Sequence, residues 1–135
     1  MHHHLATLPE FLAWFGTAAA MLATFLVLYG LLTPWNDLRL IRAGNLAVTY
    51  GVSGAMLGYA VVLAAIISGA VSRLDLALWA GVGLAVQLLA LGVGRLLLGP
   101  GLRADMEAGR LSSGVLLGAL ALAAGIVNAA TMLTE

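Results

Sequence analysis

Four polar residues are notable in this sequence because each lies within or beside a long apolar stretch. Gln87, Arg95 and Asn128 fall within such stretches, and Asn45 begins another. An amide or guanidinium group in lipid can line a pore, enter a subunit interface or hold helices together by hydrogen bonds. The expected roles are interhelical hydrogen bonds for Gln87 and Asn128, extension toward headgroups for Arg95 and a helix N-cap for Asn45. A pore lined by these side chains is the functional alternative.

The groups that catalysis or proton coupling would need are missing from the apolar stretches. No Asp, Glu or His lies inside them, and the chain has no Cys. A proton-coupled carrier normally needs an intramembrane carboxylate or His, and covalent catalysis needs a nucleophile beside a base. We therefore expect no enzymatic activity, no cofactor and no metal site. The tract His2, His3 and His4 is either a metal-binding run or a trimmed purification tag, and the sequence does not distinguish the two.

The polar residues are positioned by four apolar stretches, at residues 11–33, 45–69, 76–98 and 111–133. The chain has 135 residues, of which 62% are hydrophobic and 9% charged, whereas soluble domains are about 25% charged. About 20 helical residues cross a bilayer core, and each stretch is long enough. A net charge of zero argues against nucleic acid as a partner. The sequence therefore predicts an all-α integral membrane protein with four spanning helices and the lipid bilayer as its surroundings.

Two polar joints, residues 34–44 and 102–109, connect the first to the second stretch and the third to the fourth. Trp35, Leu38 and Ile41 recur at helical spacing in the first joint, and Leu102 and Met106 are the apolar residues of the second. This spacing predicts two short amphipathic helices at the membrane interface, with Trp35 at headgroup level, and solvated loops are the alternative.

Arginine placement predicts the orientation of the chain. Five arginines lie in or near the joints, and only Arg73 lies on the opposite side. Because positive residues stay in the cytoplasm, both termini and the loop at residues 70–75 are expected outside it. The joints would then be cytoplasmic, anchor the chain at the interface and offer a surface to a cytoplasmic protein partner. The expected anchors are Trp35, Arg39, Arg42, Arg103 and Arg110.

The two halves of the single transmembrane domain, residues 1–135, resemble each other at an offset of 65. Each half contains a spanning helix, a short joint and a second spanning helix, over about residues 8–69 and about residues 73–133. Two spans in each copy give both copies the same direction, which predicts a parallel repeat about an axis along the membrane normal. The matched positions are Trp14 with Trp79, Ala43-Gly44 with Ala108-Gly109, and Leu46 with Leu111.

Two segments carry a family resemblance. Leu40-Ile41-Arg42-Ala43-Gly44-Asn45 resembles the joint, and residues 125–132 resemble the closing motif, of the domain of unknown function 350 family, YjfL-like small bacterial inner-membrane proteins. Gln87 followed by Arg95 also fits its pattern, whereas Leu133 interrupts the family's Met-Thr ending. The resemblance implies two copies of a two-helix unit in the bacterial inner membrane. It also implies a link to membrane stress, because family members often occur beside genes for membrane-stress proteins.

Glycines at four-residue spacing predict close helix packing. The second stretch contains Gly51, Gly54 and Gly58, and the fourth contains Gly114 and Gly118. Such GxxxG patterns let helix backbones approach closely, within a subunit or between subunits. Four thin helices enclose little interior, so we expect a homo-oligomer. The expected function is that of a small oligomeric inner-membrane protein with an accessory or structural role. The alternative is a channel or uncoupled transporter subunit.

Overall fold

In the computed structural model, residues 7–133 are described, and they form six helices. The three residues of the histidine tract lie outside this range. The four long helices are each long and apolar enough to cross a membrane, which confirms the predicted all-helical class with four candidate membrane-spanning helices. The helices are α1 (Leu8–Leu32), α2 (Asp37–Arg42), α3 (Leu46–Gly69), α4 (Arg73–Leu98), α5 (Leu102–Glu107) and α6 (Leu111–Met132).

The ends of the long helices follow local sequence signals. The side chains of Thr7 and Ser72 accept hydrogen bonds from backbone N–H groups in the first turns of α1 and α4. Thr33, which precedes a proline, takes extended geometry and ends α1. Gly99 ends α4 with a φ of 83°, a left-handed conformation that suits a residue without a Cβ. Capping residues, proline and glycine therefore determine where these long helices begin and end.

Helix α3 lies at the centre of the bundle, and its largest contact by far is with α6. Helix α4 packs against both α3 and α6, whereas α1 makes its main contacts with α4 and α3, and these are smaller. Only 6% of the most apolar window of α1 is buried, compared with 50% for α3. The bundle is thus a packed core of α3, α4 and α6 with α1 on its outside.

Two long-range hydrogen bonds place both joints at one end of the bundle. The Asn45 side chain, at the start of α3, donates to the Met106 carbonyl in α5, 2.7 Å away. Arg95, near the end of α4, donates to the Leu32 carbonyl at the end of α1. The starts of α3 and α6 and the ends of α1 and α4 therefore lie together. We call this end, which carries α2 and α5, the joint end.

Two residues of the first joint face the protein interior. Trp35 and Leu40 are buried, whereas Leu38 is 60% exposed. Trp35 lies before the short helix, because α2 begins only at Asp37. In the second joint, both Leu102 and Met106 are buried.

Candidate functional site

The contact between α3 and α6, which we call the glycine seam, is formed by Gly54 and Gly58 of α3 and Gly114, Gly118 and Gly125 of α6. A Cβ added at any of these five positions would overlap the backbone of the facing helix. Gly54 faces Gly118, and Gly58 faces Gly125, so residue numbers rise together along both helices. The two helices consequently run in the same direction at backbone contact distance. Removing side chains from this face is what allows such an approach.

The predicted packing glycines differ in how close their neighbours lie. A Cβ at Gly51 would meet only side chains, at 3.5 Å from Met106 and 3.6 Å from Leu117. Gly125 was not among the predicted packing residues, although it lies two turns after Gly118 and faces the backbone of Gly58. A seven-residue spacing is the signal that could have identified it, because it returns to the same helix face.

Gln87 lies inside the bundle at 1% exposure. Its Nε2 donates to the Ala121 carbonyl of α6, 3.2 Å away, and the bond joins α4 to α6. Its Oε1 is buried and has no hydrogen-bond partner among residues 7–133. The amide nitrogen therefore has a hydrogen-bond acceptor and the amide oxygen has no donor among these residues. The side chain lies between helices of one chain.

Asn128 lies on the same side of α6 as Gln87's partner, farther from the joint end. Its Nδ2 is buried and has no hydrogen-bond partner within the described chain. Asn128 also lines a cavity of about 460 Å³ between α3, α4 and α6, together with Asp75, Trp79 and Met132. This cavity lies at the end of the bundle opposite the joints, and Gln87 is not among its lining residues.

Arg95 and Asn45 each link the end of one helix to another helix by a hydrogen bond. Arg95 is exposed and donates to the Leu32 carbonyl at 3.0 Å, where the last carbonyls of α1 lack helical partners. Asn45 is the N-cap of α3, because its Oδ1 accepts from the Val48 N–H at 3.0 Å. Its Nδ2 meanwhile donates to Met106, so one side chain caps a helix and links it to the other joint.

A cluster that sequence reasoning missed surrounds Asp37 in the first joint. Its carboxylate accepts from the Thr33 hydroxyl at 2.6 Å and from the Trp35 indole N–H at 2.7 Å. Burial raises the pKa of Asp37, and the hydrogen bonds from Thr33 and Trp35 oppose this shift. Trp35 is consequently held inside the joint at 3% exposure instead of lying on the surface. The threonine, tryptophan and aspartate within five residues were the available signal.

The remaining joint arginines are exposed and have weak partners or none. Arg103 pairs with Glu107 at 3.5 Å, and Arg110 with Asp105 at 3.8 Å. Neither Arg39 nor Arg42 forms an ion pair within residues 7–133. Exposed ion pairs of this kind contribute about 0–1 kcal/mol. The joint end therefore presents a positively charged surface whose arginines are largely available to other molecules.

Tyr59 is a second polar group that sequence reasoning did not use. Its hydroxyl donates to the Ala80 carbonyl of α4 at 2.7 Å, and its ring is fully buried. The ring packs against Phe25 of α1, with 4.9 Å between centroids. Tyr59 thus contacts both α4 and α1 and attaches the outer helix to the core.

The arrangement can be compared with known protein families. A model of the family described as Domain of Unknown Function (DUF350) matches residues 3–132. The chain belongs to the DUF350 family. Two known proteins are each 38% identical to the chain over 130 residues, which cover 96% of this chain and 98% of theirs. Both are named UPF0719 inner membrane protein YjfL, from Escherichia coli strain K12 and from Escherichia coli O157:H7. No solved structure matches the chain significantly.

Proposed function

We propose that this DUF350 protein is a non-catalytic inner-membrane bundle with an accessory or structural role, in the setting of membrane stress. The observation that carries the proposal is that three of the four polar residues and all five seam glycines are engaged within one chain. Gln87, Asn45 and Arg95 each donate to a backbone carbonyl of another helix. The glycine seam uses both GxxxG patterns inside the chain. Groups committed to internal packing hold a scaffold together, and they are not free to form a pore.

We further propose that the bundle is built from two copies of one unit. The long and short helices of the two halves begin 65 residues apart, at Leu8 and Arg73, Asp37 and Leu102, and Leu46 and Leu111. The parallel direction of α3 and α6 agrees with an axis along the membrane normal.

The backbone after each short helix supports the same proposal. Gly44 and Gly109, also 65 residues apart, have φ values of 86° and 77°. The next N–H in each case bonds back to the carbonyl five residues earlier, from Asn45 to Leu40 and from Arg110 to Asp105. Both short helices therefore end in the same Schellman geometry, which a duplicated unit would inherit.

Orientation and a partner follow from the charged surface. We propose that the joint end is cytoplasmic, because it carries five of the six arginines while Arg73 lies at the other end. The exposed Arg39 and Arg42 of α2 would then be available to a cytoplasmic protein. A cysteine placed in α2 should be labelled by a membrane-impermeant thiol reagent in inverted vesicles and protected in intact spheroplasts. The opposite pattern would overturn this orientation.

We propose that copies of the chain associate through α1. This helix is the least buried of the four, and Phe11 and Phe15 stack on its exposed side with ring centroids 6.0 Å apart. The native mass of the protein in lipid nanodiscs tests the proposal. A multiple of the chain mass that falls to the monomer when Phe11 and Phe15 become alanine would support it. A monomer throughout would contradict it.

Conduction by reconstituted vesicles tests the structural role itself. We expect no ion flux above that of empty vesicles. We also expect Gln87→Leu to lower the stability of the bundle by about 0.6 kcal/mol, the mean worth of a polar contact between membrane helices. Flux that Gln87→Leu abolishes would contradict a purely structural role.

A channel or uncoupled transporter subunit is the second candidate, and one observation favours it. Gln87 Oε1 and Asn128 Nδ2 are buried without hydrogen-bond partners among residues 7–133. Unsatisfied amides in lipid are costly, and a hydrated pathway would satisfy them. Flux that falls in both Gln87→Leu and Asn128→Leu, with the native mass unchanged, would select this candidate.

A further inference from the structure

A basic cavity lies at the joint end, between the ends of α1 and α4 and the start of α5. Its volume is about 520 Å³. The lining includes Trp35 from the first joint, Arg95 and Leu96 from α4, and Leu102 and Arg103 from α5. None of the lining residues is acidic. The cavity therefore combines two cations with an otherwise apolar wall.

The guanidinium groups that line the cavity retain hydrogen-bond donors. Each guanidinium carries five N–H donors, and Arg95 uses one nitrogen for the Leu32 carbonyl. Among residues 7–133, Arg103 pairs only with Glu107, at 3.5 Å, and its side chain is 64% exposed. A planar guanidinium suits the oxygens of a phosphate group, which it can contact through two parallel bonds.

The apolar wall continues onto the outer face of α4. Leu96 is 84% exposed and Leu97 67% exposed, next to Arg95 at the end of a membrane-spanning helix. Trp35 and Leu102, by contrast, are each only 3% exposed and form a fixed inner wall. A ligand that fits this surface carries an anionic group beside a long apolar chain.

The cavity on the other side of Trp35 provides an internal contrast. It has a volume of about 620 Å³, and its only charged lining residue is Asp37. A carboxylate without a basic neighbour would repel a phosphate. The two cavities thus share one tryptophan and differ in the sign of their charge.

We propose that the basic cavity binds the phosphate of an anionic phospholipid, with Arg95 and Arg103 as its ligands and an acyl chain along Leu96 of α4. Basic pockets between membrane helices are known recognition sites for anionic headgroups. This binding would hold the end of α1 against α4 through the lipid in addition to the Arg95 bond. It assigns to the two arginines a ligand that the structural role alone does not require.

Lipid titration of the intact chain, followed by native mass spectrometry in neutral detergent, tests the proposal. Phosphatidylglycerol and phosphatidylcholine with identical acyl chains are the two probes. We expect one saturable binding site for phosphatidylglycerol and weaker binding of phosphatidylcholine. Arg103→Gln should weaken phosphatidylglycerol binding about fivefold, the effect expected for one arginine near anionic lipid. Arg103→Lys should restore part of the loss, because it keeps the charge but not the planar fork.

Arg39→Gln is the matched control, because Arg39 is exposed in the other joint and does not line the cavity. Its phosphatidylglycerol affinity should equal that of the wild type. Equal weakening by Arg39→Gln and Arg103→Gln would overturn the site in favour of diffuse surface charge, and equal affinity for the two lipids would overturn it outright. Displacement of the lipid by millimolar inorganic phosphate would overturn the lipid assignment and identify free phosphate as the ligand. Thermal unfolding of each variant separates loss of binding from loss of fold.

Discussion

Helices α6 and α1 both pack against α3, and they do so in opposite ways. The α3–α6 contact is made by backbone against backbone at five glycines, and the two helices have no bulky side chains there. Helix α1 contacts the core through large side chains, and Phe25 and Tyr29 are its only buried residues. The α3–α6 contact depends on the absence of side chains at the glycines, and the contact of α1 depends on a few aromatic rings.

The difference between these two contacts reflects the forces that hold helices together in lipid. Since lipid tails are as apolar as side chains, burial itself gives little preference for protein over lipid. Close approach of two backbones gives many dispersion contacts that lipid cannot match. We therefore expect α3 and α6 to form the stable unit and α1 to be the helix that separates first.

The largest effect is expected where a methyl group enters the glycine seam. Gly54→Ala places a Cβ against the backbone of Gly118, which cannot move aside without separating the helices. We expect a loss of about 3 kcal/mol of unfolding free energy, the upper range for overpacking. Gly81→Ala is the control, because nothing lies within 4 Å of an added Cβ there. Unfolding in mixed micelles by SDS titration measures both, and equal effects would refute the packing of the seam.

A smaller effect is expected for the attachment of α1. Phe25 is fully buried against Tyr59, whereas Leu89 of α4 is 67% exposed. Phe25→Leu removes the ring contact with Tyr59 and leaves a small cavity, for which we expect a loss of about 2 kcal/mol. Leu89→Ala should change stability by less than about 0.5 kcal/mol. The same SDS titration tests the pair, and α1 would not be docked as described if Leu89→Ala were the more harmful change.

Asn45 links α3 to the second joint at the joint end of the seam. Asn45→Ala removes both the cap of α3 and the bond to Met106, and we expect a loss of about 1.5 kcal/mol. Asn36 caps only the six-residue α2, next to α1, so Asn36→Ala should cost about 0.5 kcal/mol. Amide hydrogen exchange in the first turns of α3 and α2 measures the two effects locally. Equal protection loss in both helices would contradict the linking role of Asn45.

The smallest effect concerns the pH dependence of the joint beside α1. Burial raises the pKa of Asp37 above its ordinary value of 3.8, so the folded state binds the proton more tightly than the unfolded state. The stability that this proton contributes is present below the ordinary pKa and is lost as the pH rises through the raised one. On acidification from neutral pH to about pH 4, the wild type should gain stability relative to Asp37→Asn. A difference between them that does not change with pH would contradict the burial of this carboxylate.

The spans and joints could be predicted from sequence because local signals determine them. Four long apolar stretches identify the spans. The helix ends are marked by the capping residues Thr7 and Ser72 and by the breaks at Thr33-Pro34 and Gly99-Pro100. The partner of each helix could not be predicted, since a GxxxG pattern serves contacts within and between chains equally well.

Trp35 and Gln87 show what local patterns leave out. An aromatic residue beside a span is typical of the headgroup region, and that pattern gives no sign that the Asp37 carboxylate holds the Trp35 indole inside the joint by a hydrogen bond. The partner of Gln87 is a carbonyl 34 residues away on α6, which no local spacing identifies. Both positions depend on how separate segments meet in the folded chain.

Cross-linking between α3 and α6 shows whether the glycine seam forms inside one chain. Because the chain has no Cys, Gly51→Cys on α3 and Leu117→Cys on α6 can be introduced without background. These positions face each other, with 3.6 Å between an added Cβ at residue 51 and the Leu117 side chain. A short bifunctional thiol reagent should cross-link the double variant at monomer mass and give no dimer from a mixture of the two single variants. Efficient dimer formation in that mixture would place the seam between chains and contradict the packing of α3 against α6 within one chain.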